Sequence, residues 1–159
     1  MTITLNQARR QMPVRPITYQ IPSRFPPAHP QYNAYLNEAR RQLREQEAGV
    51  NSMVASEWLA RRPASGVPLV RPPAEAAMRR EYGTRSQLAG TGMAAPHNPD
   101  QVLAGYIDPT GAPALGVVNS FIGAQNRTNA QLIQSIINDP HVIHPVALPV
   151  TQLNFRLTV

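Results

Sequence analysis

His97 and Asp100 stand three residues apart in the stretch His97-Asn98-Pro99-Asp100, in a chain with only four histidines and three aspartates. A nitrogen base beside an oxygen anion is what activation of a water molecule, or capture of a hard divalent cation, requires. The same four residues also suit a helix start. Asn98 fits the cap, Pro99 the first turn, and Asp100 the positive end of the helix dipole. A helix beginning there would let the two side chains converge at i and i+3, so the spacing admits both a catalytic pair and plain capping. The chain has no cysteine, which excludes thiolate catalysis, disulfides and zinc–cysteine sites.

All 15 basic residues are arginine, and the formal charge is +6. The guanidinium fork suits bidentate recognition of phosphate. The charge is uneven: residues 1–85 carry thirteen arginines against six glutamates, and residues 86–159 two arginines against three aspartates. A basic front half can hold a polyanion while the acids serve a cation elsewhere. Arg40, Arg41, Arg44, Arg61 and Arg62 are the leading candidates for phosphate contacts, with Arg79 and Arg80 behind them. A solvated arginine face is the ordinary alternative. Trp58, Tyr32 and Tyr35 are able to stack bases, yet their spacing with Leu36, Ala39 and Leu43 favours core packing. Asp108 before Pro109 reads as turn nucleation. His141 and His144 would point to opposite faces of an extended segment, which disfavours a shared metal.

The elements that must position these groups follow from pattern. A chain of 159 residues with 42% hydrophobic content fits one domain with a real core. Seventeen prolines exclude a simple helical bundle. No apolar run reaches the length of a membrane span. Six prolines between residues 13 and 30 make residues 1–31 a proline-rich arm or linker, wrapped on the domain or loose, leaving 32–159 as the domain proper. Tyr32, Tyr35, Leu36, Ala39 and Leu43 recur at helical spacing, with Gly49 as a stop. A short helix carries Glu57 to Arg61. A third begins near Pro72-Pro73, with Gly83 after it. Leu132, Ile133, Ile136 and Ile137 predict a buried helix over 129–138. Residues 142–150, broken by Pro145 and Pro149, predict an edge strand at best. Leu153, Phe155, Leu157 and Val159 alternate with polar residues, the period of a half-buried strand. The fold class is therefore α+β, with a helical N-terminal half and a small C-terminal β-sheet.

Four blocks, in order, carry a resemblance. Ala94-Ala95-Pro96-His97-Asn98-Pro99-Asp100-Gln101-Val102-Leu103-Ala104-Gly105 resembles the HxxD block of the novel toxin fifteen family, the nuclease domains of bacterial polymorphic toxins. Gln46 to Asn51 with Glu57 to Arg62 is similar to that family's N-terminal helical block, Val118 to Gln125 to its Val-Asn-Ser-Ser-Ile-Gly-Ser-Gln segment, and Leu153 to Leu157 to its closing strand. The chain departs from the pattern at Tyr106, where a second glycine is usual, and at Asn126, where an aromatic is common.

The resemblance implies a metal-dependent DNase without sequence specificity, delivered into the cytoplasm of rival bacteria, often by type VI secretion, and neutralised by a cognate immunity protein. It implies His97 and Asp100 as the catalytic pair and a divalent cation, Mg2+ first, held in part by Asp100. Glu47 is a further metal candidate, and Asn51, Asn119, Ser120 and Gln125 are pocket candidates. An adaptor or carrier for secretion is a further expected partner. Two alternatives stand beside this one: an RNase, and a non-catalytic nucleic-acid-binding module on the same scaffold.

Overall fold

The structure is a computed structural model and describes residues 10–62, 74–94, 103–105 and 114–159. It is an α+β chain in which the first and last described segments lie side by side. Strands β1 (Arg10–Gln11) and β2 (Arg15–Thr18) pair in parallel with β5 (Thr151–Gln152) and β6 (Phe155–Thr158). Parallel partners need a long crossover between them, and here the helices supply it. The register Ile17↔Leu157 places two apolar side chains on the inner face, both buried.

Pro16 fits this ladder because of parity. The N–H groups of Arg15 and Tyr19 donate to the carbonyls of Asn154 and Thr158, at 3.1 and 2.7 Å, so the even-numbered residues of β2 turn their N–H away from β6. Proline has no N–H to lose there, which is why an edge strand tolerates it. The proline-rich stretch is thus wrapped on the domain over its described part, and it contributes Met12, Ile17 and Tyr19 to the core.

Helix α1 (Tyr32–Asn51) buries Ala39, Leu43, Gln46 and Val50, a stripe at i, i+4, i+7 and i+11. It runs two residues past Gly49, and the Ser52 N–H closes it on the Ala48 carbonyl. Helix α2 (Ala55–Arg61) carries Trp58, which is fully buried, as the sequence spacing favours. Helix α3 (Ala74–Leu88) contains Gly83 rather than ending at it; one glycine costs a helix only about 1 kcal/mol. Its true stop is the turn holding Gly90 and Gly92 at φ +78° and +75°, a conformation only glycine adopts cheaply.

Helix α4 spans Gly116–Ile137, far longer than the predicted 129–138. Its buried residues are Val118, Phe121, Ile122, Asn126, Asn129, Ala130, Ile133 and Ile137. The two asparagines interrupt the apolar stripe and hide its period. Leu132, expected on the inner face, is 45% exposed. Residues Pro145–Val150 form a 3-10 helix instead of an edge strand. The His144 ring nitrogen Nδ1 accepts the Val146 N–H at 3.2 Å, and Pro145 sits at the first helical position, where no donor is missed. No helix among the described residues is long and apolar enough to cross a membrane.

Candidate functional site

His97, Asp100, Tyr106 and Asp108 lie outside the described residues. What is described is the frame on either side of the HxxD stretch. On its N-terminal side, strand β3 (Met93–Ala94) pairs antiparallel with β4 (Ala114–Leu115), which runs directly into α4. The Gly116 N–H donates to the Gly92 carbonyl at 2.8 Å, and a Cβ on Gly116 would also stand 2.8 Å from that oxygen. Only glycine permits so close an approach. On the C-terminal side, Leu103 and Ala104 are wholly buried. Ala104 holds φ +70°, a left-handed conformation that costs an L-residue on the order of 1 kcal/mol and persists only where surrounding structure imposes it.

Helix α1 supports this frame from below. The Glu38 carboxylate takes hydrogen bonds from Arg41, from Gln42 at 3.1 Å, and from the backbone N–H of Leu115, the residue capping α4. Burial alone would raise the pKa of Glu38. The Arg41 and Gln42 hydrogen bonds, the Arg41 charge and the Leu115 N–H outweigh it and hold the carboxyl below its ordinary value of 4.5. A depressed carboxyl contributes stability that is full above that ordinary, unfolded-state value and is lost as pH falls through the folded value. Glu38→Gln should therefore remove part of the stability lost on acidification. Urea midpoints taken from about pH 6 down to about pH 3 should fall less steeply in the variant than in the wild type. Parallel curves would show that Glu38 does not carry this linkage.

Glu47 and Asn51, one helical turn apart, bond the free edge of β6. The Asn51 amide donates to the Phe155 carbonyl at 2.9 Å and accepts the Phe155 N–H at 2.8 Å; Glu47 Oε1 accepts the Leu157 N–H at 3.0 Å. The Gln152 amide also bonds the Asn51 carbonyl. Side chains of a helix thus stand in for a neighbouring strand, satisfying backbone groups that would otherwise be orphaned. One oxygen of Glu47, a candidate metal ligand, is engaged in this structural bond. Among the described residues no group of three or more His, Asp or Glu side chains is placed to hold a metal ion.

Of the other pocket candidates, Ser120 and Gln125 line a groove of about 480 Å³ between α4 and the loop at Gln20, Pro22 and Arg24. Asn119 is half-buried and does not line it. Gln125 repeats the strand-mimicking device: its amide accepts the Gln20 N–H at 2.9 Å and donates to the Gln20 and Phe121 carbonyls at 3.0 and 2.9 Å. Beside it, Asn126 Oδ1 accepts the Tyr19 hydroxyl at 2.5 Å, both residues being buried. An aromatic at position 126 would forfeit that bond. Nothing in the sequence signalled that Tyr19 and Asn126 meet, 107 positions apart.

The five candidate phosphate-binding arginines separate cleanly. Arg41 lies between Glu38 and Glu45, the latter at 3.1 Å. Arg61 pairs with Glu57 at 3.0 Å, and Arg62 stacks over the Trp58 ring at 5.6 Å. Arg40 and Arg44 are exposed and have no carboxylate partner among the described residues. Trp58 is sealed from solvent, and Tyr35 packs edge-on against Phe25 at 4.9 Å. Neither is free to stack a base. No family model matches this chain, and no curated protein matches it.

Proposed function

We propose that this chain is the nuclease domain of an antibacterial toxin, hydrolysing phosphodiester bonds of DNA with the help of a divalent cation. The pairing of His97 with Asp100 carries the proposal. Support comes from the frame around it: one shoulder is fixed by the Gly92–Gly116 contact, and the other holds a buried alanine at positive φ four residues after Asp100. Strain of that kind concentrates at functional sites.

The donor set is one hard carboxylate and one imidazole, which suits a cation such as Mg2+ or Mn2+ and leaves positions open for water and phosphate. Asp100 would hold the cation, with His97 as a second donor or as the base. When bound, the cation offsets charge on the phosphoryl oxygens and lowers the pKa of a water molecule. Imidazole is the side chain whose ordinary pKa lies nearest neutrality, so as the base His97 would take the proton from the attacking water. Arginines of the first half hold the backbone without reading bases. Delivery by a bacterial secretion system into the cytoplasm of a target cell, through an adaptor or carrier, and a cognate immunity protein in the producer belong to the same proposal. They rest on the four-block resemblance.

Incubation with supercoiled plasmid and with total RNA, each with divalent cation and with EDTA, tests the proposal. The expected result is nicked and then linear plasmid in the presence of cation only. Digestion of RNA with intact plasmid would make the domain an RNase. Binding without cleavage of either would leave a nucleic-acid-binding module.

A further inference from the structure

We infer that Arg40 and Arg44, together with the end of strand β6, form a binding site for the phosphodiester backbone of DNA; this deepens the nuclease reading and rests on it. The argument begins with the polar stripe of α1. Asn51, Glu47, Arg44 and Arg40 follow one another at steps of four, three and four residues, which places them along one line of a helix. The first two saturate the free edge of β6 at Phe155 and Leu157. Backbone groups alternate sides along a strand, so the next donor facing α1 is the Val159 N–H. It has no partner among the described residues, and the next side chains in the stripe are the two guanidinia.

Between them lies a cavity of about 220 Å³ lined by Arg40, Arg44, Leu157, Thr158 and Val159. That is room for a phosphate group and several waters, each occupying ~30 Å³ in the liquid. Every polar group offered by the helix side is a donor. No ion pair joins either guanidinium to a carboxylate among the described residues. Arg156, exposed and two residues before Thr158 on the same strand face, adds a third positive charge. Two unpaired forks one helical turn apart, beside a backbone N–H, suit phosphate oxygens. Arg41, between them in sequence, is committed to Glu38 and Glu45 and belongs to the fold.

The test measures polarisation of a labelled DNA duplex titrated with His97→Ala protein in EDTA, over a series of salt concentrations. Against this parent, the double variant Arg40→Gln/Arg44→Gln should bind roughly tenfold more weakly per guanidinium lost. The slope of log affinity against log salt should fall by about 2. Thr158→Asp, which alters the strand side of the cavity instead, should weaken binding in the same direction. Circular dichroism should remain native in each variant, because Arg40 and Arg44 are exposed and Thr158 is only half-buried, on the polar face of β6. Unchanged affinity and slope in the double variant, with the parent binding DNA, would overturn the site and leave the nuclease reading standing. Loss of binding to an acidic protein partner with DNA binding intact would overturn it equally, assigning the arginines to a protein interface. A parent that binds no DNA while wild type cuts no plasmid would overturn both.

Discussion

His97→Ala and Asp100→Ala should each abolish nicking of supercoiled plasmid while leaving the circular dichroism spectrum native. General-base catalysis contributes on the order of 10²–10⁴ in rate, so loss of the imidazole alone brings cleavage below detection in a single-time-point gel. Asp100 has two roles to disentangle, since the sequence pattern predicts a helix start there, and a carboxylate in such a first turn would also stabilise the helix end. Removing that stabilisation costs about 1 kcal/mol, a shift visible in a urea midpoint but too small to unfold the domain. Asp100→Asn separates the roles. It keeps a side-chain oxygen for the predicted helix start and discards the charge that a hard cation needs. It should therefore be as inactive as Asp100→Ala yet nearer to wild type in stability. Full cleavage by both alanine variants would remove the site assignment altogether and leave the capping role as the whole account of the stretch.

What pattern alone can and cannot predict is visible in particular residues. The alternation of Leu153, Phe155 and Leu157 with polar neighbours is a local signal, and β6 follows it. The stripe of Ala39, Leu43 and Val50 in α1 is equally local. Helix α4 was half hidden, because Asn126 and Asn129 occupy buried positions of its stripe and a polar residue at a core position defeats a count of apolar spacing. Asn126 is reached there by the Tyr19 hydroxyl, and that meeting is decided by tertiary structure. The same holds for Glu47, Asn51 and Gln125. Each resembles an ordinary helix-surface polar residue until a backbone edge is known to lie beside it. The arginines could not be ranked by sequence either. Arg40, Arg41 and Arg44 are chemically equal, and only the neighbouring glutamates and the edge of β6 separate the one that holds the fold together from the two left to solvent. The HxxD pair is the reverse case: its residue types and spacing stand out in the sequence, and its geometry lies outside the described residues.

Deleting residues 1–21 should leave no cooperatively folded domain, although this stretch contains two prolines and, among its described residues, no helix. The segment carries Met12, Ile17 and Tyr19 into the core at 2%, 0% and 1% exposure. Burial of side chains of this size stabilises by about 1.5–3 kcal/mol each, and domains as a whole are stable by only about 5–15 kcal/mol. Deletion also strips backbone partners from the inner edges of β5 and β6 and leaves Asn126 buried without the hydroxyl it accepts from. Loss of a buried hydrogen bond of that kind costs about 1 kcal/mol more. Far-ultraviolet circular dichroism and thermal unfolding of the truncated protein check the point. The expected outcome is loss of the cooperative transition, with recovery when a peptide spanning residues 8–22 is added in excess, since the missing strand can dock from outside. A truncated protein that melts like the full chain would show that the parallel pairing of β2 with β6 contributes nothing to folding, and the first twenty-one residues would then be a linker after all.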